Sequence, residues 1–146
     1  MNGLSNHFIT TFLQDVSSFY GVFSANTIPP YVKNIPKFSI ICNLSMVKEP
    51  GTHFVAITNN KSRIMIWYSL ALNKTNFKKI YEFFKSYNIS HYYKHPIQPI
   101  DSHFCGFYAI YHILKKTRKK TPVKPFLKKL YKNDSICISN IITLSK

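Results

Sequence analysis

Acidic residues are scarce. The 146 residues hold five Asp and Glu against twenty Lys and Arg, a formal charge of +15. Such a surface repels basic partners and draws nucleic acid, acidic protein or anionic membrane. A bias toward Lys, Asn and Ile in the composition accounts for the same excess without any partner. Glycine is scarce as well. Gly3, Gly21, Gly51 and Gly106 are the whole set, and they form no glycine-rich phosphate loop. The three cysteines, Cys42, Cys105 and Cys137, are odd in number and far apart. They make neither a disulfide framework nor a zinc knuckle, and no metal site is expected. His91 and His95 are four apart, but on a stretch that does not read as a helix. No run of 18 apolar residues exists, so no membrane span is expected. No basic patch leads into a long apolar run at the N-terminus, so no secretion signal is expected either. The length suits one domain, residues 1–146, with a single core. It is too short for separate cofactor and substrate domains.

Apolar residues are plentiful, at 45% hydrophobic and 16% aromatic, which excludes a disordered chain. In residues 5–19, Phe8, Phe12, Val16 and Phe19 recur at helical spacing, with Ser5 as the cap. Gly21 and Pro29-Pro30 then predict a loop over 20–36. Residues 38–44 alternate, with Phe38, Ile40, Cys42 and Leu44 on one side. Residues 53–58 and 64–68 read as two strands joined by a hairpin connection over 59–63. Both carry apolar residues on both faces, as central strands of a covered sheet do. Residues 75–86 predict an amphipathic helix with Phe77, Ile80, Tyr81 and Phe84 inward. A short strand and a loop fill 88–100. A second helix follows over 105–116, with Ala109, Ile110, Ile113 and Leu114 inward. A short helix at 126–132 and a strand at 136–144 complete the reading. The class is α+β, a small mixed central sheet packed against helices.

Two places carry chemistry. Cys105 falls in the first turn of an apolar helix, where free amides and the helix dipole favour a thiolate. Gly106 beside it permits close approach to the backbone. Gln98, in the preceding loop, has a side-chain amide able to donate to an oxyanion. His53 opens a central strand, the place from which an imidazole can meet a helix-tip thiol. His7, His91, His95, His103 and His112 are weaker candidates.

The order of these parts is an apolar helix, a Gly-x-His-aromatic strand, a hairpin, a strand, a helix, and Gln-x6-Cys-Gly at a helix start. It resembles the adenovirus-type cysteine proteases, the adenain family, of the clan that includes SUMO-specific proteases. The likeness covers about residues 8–116. It implies an adenain-like fold with Cys105 as nucleophile and His53 as general base. Gln98 and the Cys105 amide would form the oxyanion hole. Phe54 would stand where the family usually has Trp. The chemistry needs no cofactor, though DNA and an activating peptide serve the family. The implied substrates are viral precursor proteins, and the implied location is the virion and the host nucleus or assembly site, without secretion and without a membrane partner. The protein is expected to be a monomer.

Two departures stand out. The family's acidic or amide residue near the end of the third strand is replaced here by Tyr68. Tyr68, Ser69 or Asn73 could orient His53 instead, the Cys-His pair could act without a third group, or the fold could have lost activity and kept only binding. The region from Tyr87 to Tyr93 has no cysteine, so any activator would be noncovalent. Two rivals to an endopeptidase follow: an isopeptidase acting on ubiquitin or SUMO, and a noncatalytic binding protein. Finally, Lys115, Lys116, Arg118, Lys119, Lys120, Lys124, Lys128, Lys129 and Lys132 crowd the basic segment 115–132 without an acid. They make a candidate stripe for sequence-independent nucleic-acid binding, or a merely solvated face.

Overall fold

A computed structural model describes residues 5–44, 53–68, 74–92 and 105–118. In chain order it contains α1 (Asn6–Leu13), β1 (Phe19–Ser24), a 3-10 turn (Pro30–Asn34), β2 (Ser39–Asn43), β3 (Phe54–Asn60) and β4 (Arg63–Trp67). A second 3-10 turn (Lys74–Phe77), α2 (Lys78–Phe83), β5 (Asn88–Tyr92) and α3 (Cys105–Arg118) follow. The five strands form one sheet in the order β1-β2-β3-β4-β5. The outer pairs are parallel and the inner pairs antiparallel, so the sheet is mixed.

Period-two alternation sorts the strand side chains into two layers. Ile41, Phe54, Ala56 and Trp67 face α1 and α3. Ile40, Cys42, Val55, Ile57, Ile64 and Ile66 face the 3-10 turns and α2, together with Phe38 just ahead of β2. With both faces covered, β2 is buried at every position, and each such Ile contributes roughly 1.5–3 kcal/mol.

Several expectations change. The first helix is shorter than 5–19 and ends at Leu13. Ser5 does cap it, its hydroxyl accepting from the Phe8 amide at 3.1 Å. Its buried residues are Ile9 and Leu13, while Phe8 is 44% exposed. Phe19 belongs instead to β1, a strand the sequence reading took for loop. Gly21, at φ +145°, sits where the β1–β2 register slips, which masks the alternation. The 59–63 connection contracts to a two-residue turn, because Asn60 already pairs with Arg63. Lys61 takes φ +58° to make it. The 75–86 helix divides into a 3-10 turn and α2, with Phe77, Ile80 and Phe84 buried as expected. From 105 to 114, α3 is buried on all sides and not on one stripe. Among the described residues no helix is long and apolar enough to cross a membrane. The elements expected at 126–132 and 136–144 lie outside the described residues.

Candidate active site

The β2–β3 ladder continues one step beyond the strands, where the Leu44 amide donates to the His53 carbonyl at 2.9 Å. Backbone N–H groups alternate in direction along an antiparallel strand. The next amide, that of Phe54, therefore points away from β2. Pairing of β3 with β4 begins only at Ala56 and Trp67, so β4 leaves this amide unclaimed. The sulfur of Cys105 takes it: the Phe54 N–H donates to Cys105 Sγ at 3.4 Å. The first residue of α3 thus occupies the space into which β4 would have extended. Residues 54 and 105, far apart in sequence, meet at one end of the sheet through this contact, and His53 is the chain neighbour of Phe54.

The Cys105 thiol is buried, and three backbone amides, those of Phe54, Gly106 and Cys105 itself, converge on it. Burial pushes its pKa up, and those amides pull it back only in part. The depressed thiol expected from a helix start is therefore corrected. Removal from water penalises the thiolate more than the helix end favours it. Burial also lowers the pKa of His53. Its Nδ1 is buried and has no hydrogen-bond partner among the described residues. Each shift favours the neutral form of its own group, thiol for Cys105 and imidazole for His53.

Tyr68 follows β4 directly. Its ring packs on Phe77, with centroids 5.2 Å apart, and on His91 at 5.5 Å. It therefore belongs to the layer on the α2 side, and it does not bond His53 Nδ1, which has no partner among the described residues. Burial, and then the charge of Tyr81, raise its pKa. Ser69, Asn73 and Gln98 lie outside the described residues, as do Lys119, Lys120, Lys124, Lys128 and Lys129. Lys115, Lys116 and Arg118 belong to the C-terminal end of α3.

Some partnerships escaped the sequence reading. The Tyr81 hydroxyl hydrogen-bonds His91 Nε2 across α2 and β5. His112, taken for a weak candidate, is fully buried with its ring 5.1 Å from that of Trp67. Trp67 in turn donates from Nε1 to Thr58 Oγ1 at 3.0 Å. A groove of about 640 Å³ lined by Thr75, Lys78, Tyr81, Glu82 and Lys85 runs along α2, which covers the face opposite α3. Among the described residues no group of three or more His, Cys, Asp or Glu is placed to hold a metal ion. No protein-family model matches the chain, and no curated protein matches it.

Proposed function

We propose that the protein is a cysteine endopeptidase with an adenain-like fold, acting on viral precursor proteins. The observation that carries this reading is the Phe54 N–H to Cys105 Sγ contact, which seats a histidine-bearing strand end against a helix-tip thiol. In the proposed reaction Cys105 Sγ attacks the scissile carbonyl carbon while His53 takes the thiol proton. The C–N bond then breaks, and His53 returns that proton to the leaving amine. Water, deprotonated by His53, hydrolyses the thioester and regenerates the thiol. Gln98 and the Cys105 amide hold the oxyanion. No cofactor enters the chemistry; a noncovalent peptide and DNA are the proposed stimulators. The segment 115–132 is the proposed DNA contact, and the protein is proposed to act as a monomer in the virion and in the host nucleus or at the virus assembly site.

A second reading, a protein of this fold that binds without cutting, draws support from the packing of Tyr68 toward His91, in the layer on the α2 side. The test is cleavage of viral precursor proteins and a peptide library, alongside ubiquitin and SUMO electrophilic probes. Endopeptidase activity predicts cutting that falls by about 10³-fold or more in both Cys105→Ala and His53→Ala. Reaction with the modifier probes alone would turn the reading to an isopeptidase. No cutting, together with Cys105 labelling no faster than Cys42 or Cys137, would leave the binding protein.

A further inference from the structure

The positive charge is not spread evenly along the chain. Residues 5–32, which include α1 and β1, contain no Lys or Arg and hold Asp15. The cations of the described body begin at Lys33, and five of them sit on three segments that the backbone stitches together. The Lys61 amide donates to the Pro36 carbonyl at 3.1 Å, and the Asn88 amide to the Ser62 carbonyl at 3.0 Å. The Tyr87 hydroxyl donates to the Lys33 carbonyl at 2.9 Å. Buried Asn59 ties the same place together, its Oδ1 accepting from the Phe38 amide and its Nδ2 donating to the Ile35 and Lys61 carbonyls. Segments 33–38, 59–63 and 85–88 thereby form one end of the sheet. Lys33, Lys37, Lys61, Arg63 and Lys85 are all exposed there, and none of these segments contains an acid. The nearby Glu82 is engaged by Lys79 at 3.6 Å.

This end is the opposite one from Cys105. The sulfur meets the first residue of β3, and the cations surround the turn after its last. Seven strand residues separate the two, or about 20 Å. A partner at the cationic end therefore leaves the thiol uncovered.

We propose that this basic pole is a docking surface for the phosphate backbone of a nucleic acid, separate from the 115–132 segment and independent of the proteolytic reading. Charge and the scarcity of apolar anchors select the partner. The large exposed hydrophobics among the described residues are Phe8, Tyr20 and Tyr31, and of these only Tyr31 is close to the pole, on the 3-10 turn that also carries Lys33. One ring gives a bilayer little to insert and a protein partner a single aromatic anchor. A duplex carries one charge per roughly 1.7 Å of axis, so it meets scattered cations in any register. Recognition by phosphate alone is sequence-independent.

The test is salt-dependent binding of the full chain to a fluorescent 20-base-pair duplex, to its single strand, and to phosphatidylserine-containing vesicles. One variant replaces Lys37, Lys61, Arg63 and Lys85 with Gln; a second replaces Lys119, Lys120 and Lys124. Circular dichroism and melting confirm that both fold. The first variant is expected to bind the duplex at least about tenfold more weakly, with the slope of log affinity against log salt reduced by about four, one for each phosphate contact. Lys33 is kept in that variant, because its Nζ sits over the Phe83 ring at 4.5 Å. A slope unchanged in the first variant, loss confined to the second, or binding to vesicles but not to either nucleic acid would each overturn the proposal.

Discussion

Acid should unlock this core through one side chain. His112 is fully buried, and burial lowers its pKa from 6.5 to about 3. In the unfolded chain it titrates near the usual 6.5. Between these values the unfolded state binds a proton that the folded state refuses, so stability rises with pH and is lost as pH falls below about 6.5. At pH 5 the penalty is about 2 kcal/mol relative to pH 7.5, since each unit is worth about 1.4 kcal/mol. That is a large share of a typical domain stability of roughly 5–15 kcal/mol, and a shift of roughly 4–8 °C in melting temperature for a chain of this size. The variant is His112→Phe, which keeps a ring against Trp67. Urea denaturation of both proteins at pH 7.5 and pH 5.0 gives the comparison. Any repacking cost of Phe is the same at both pH values and cancels, and so does the contribution of His53. The wild type should lose about 2 kcal/mol more than the variant between the two pH values. Equal losses would refute the reasoning and show that His112 is protonated without unfolding.

The raised Cys105 thiol and the lowered His53 imidazole lead to a kinetic expectation. Labelling of Cys105 by iodoacetamide should climb toward alkaline pH, with no plateau of fast reaction near pH 5, and a rate independent of pH from 5 to 8 would reveal a preformed ion pair. Asn59→Ala should destabilise the fold by about 2–3 kcal/mol in urea melts, because the buried Phe38 amide loses an acceptor at 2.6 Å and two carbonyls lose a donor. Gly21→Ala should cost at least about 1 kcal/mol. Its φ of +145° disfavours any Cβ, and the added atom would lie 2.9 Å from Phe23 Cζ. A melting temperature equal to wild type would contradict this.

The central strands were legible because each face must be apolar and side chains alternate with a period of two. Phe38, Ile40, Cys42 and Leu44 do share the α2-side layer, and β3 and β4 are covered on both faces. The stripe of Phe77, Ile80 and Phe84 was legible for the matching helical reason. β1 was not, because its glycine and register slip break the alternation. The aromatic spacing across 8–19 mimicked one helix where a helix and a strand share the residues. All-round burial of α3 was illegible too. Tyr108, Tyr111 and His112 have polar atoms and read as an outer face until β3, β4 and α1 close around them.

By itself the sequence determined the α+β class, the central strands, the cap at Ser5, and the candidacy of Cys105 and His53. Each of these rests on local periodicity or on the chemistry of one residue type. Only the tertiary structure decided that strand β3 offers an unclaimed amide to the Cys105 sulfur, and that burial outweighs the helix end in setting that thiol's pKa. It alone also gathered Lys37, Lys61, Arg63 and Lys85 at one pole. Desolvation and through-space proximity depend on which segments meet, and no local spacing encodes that.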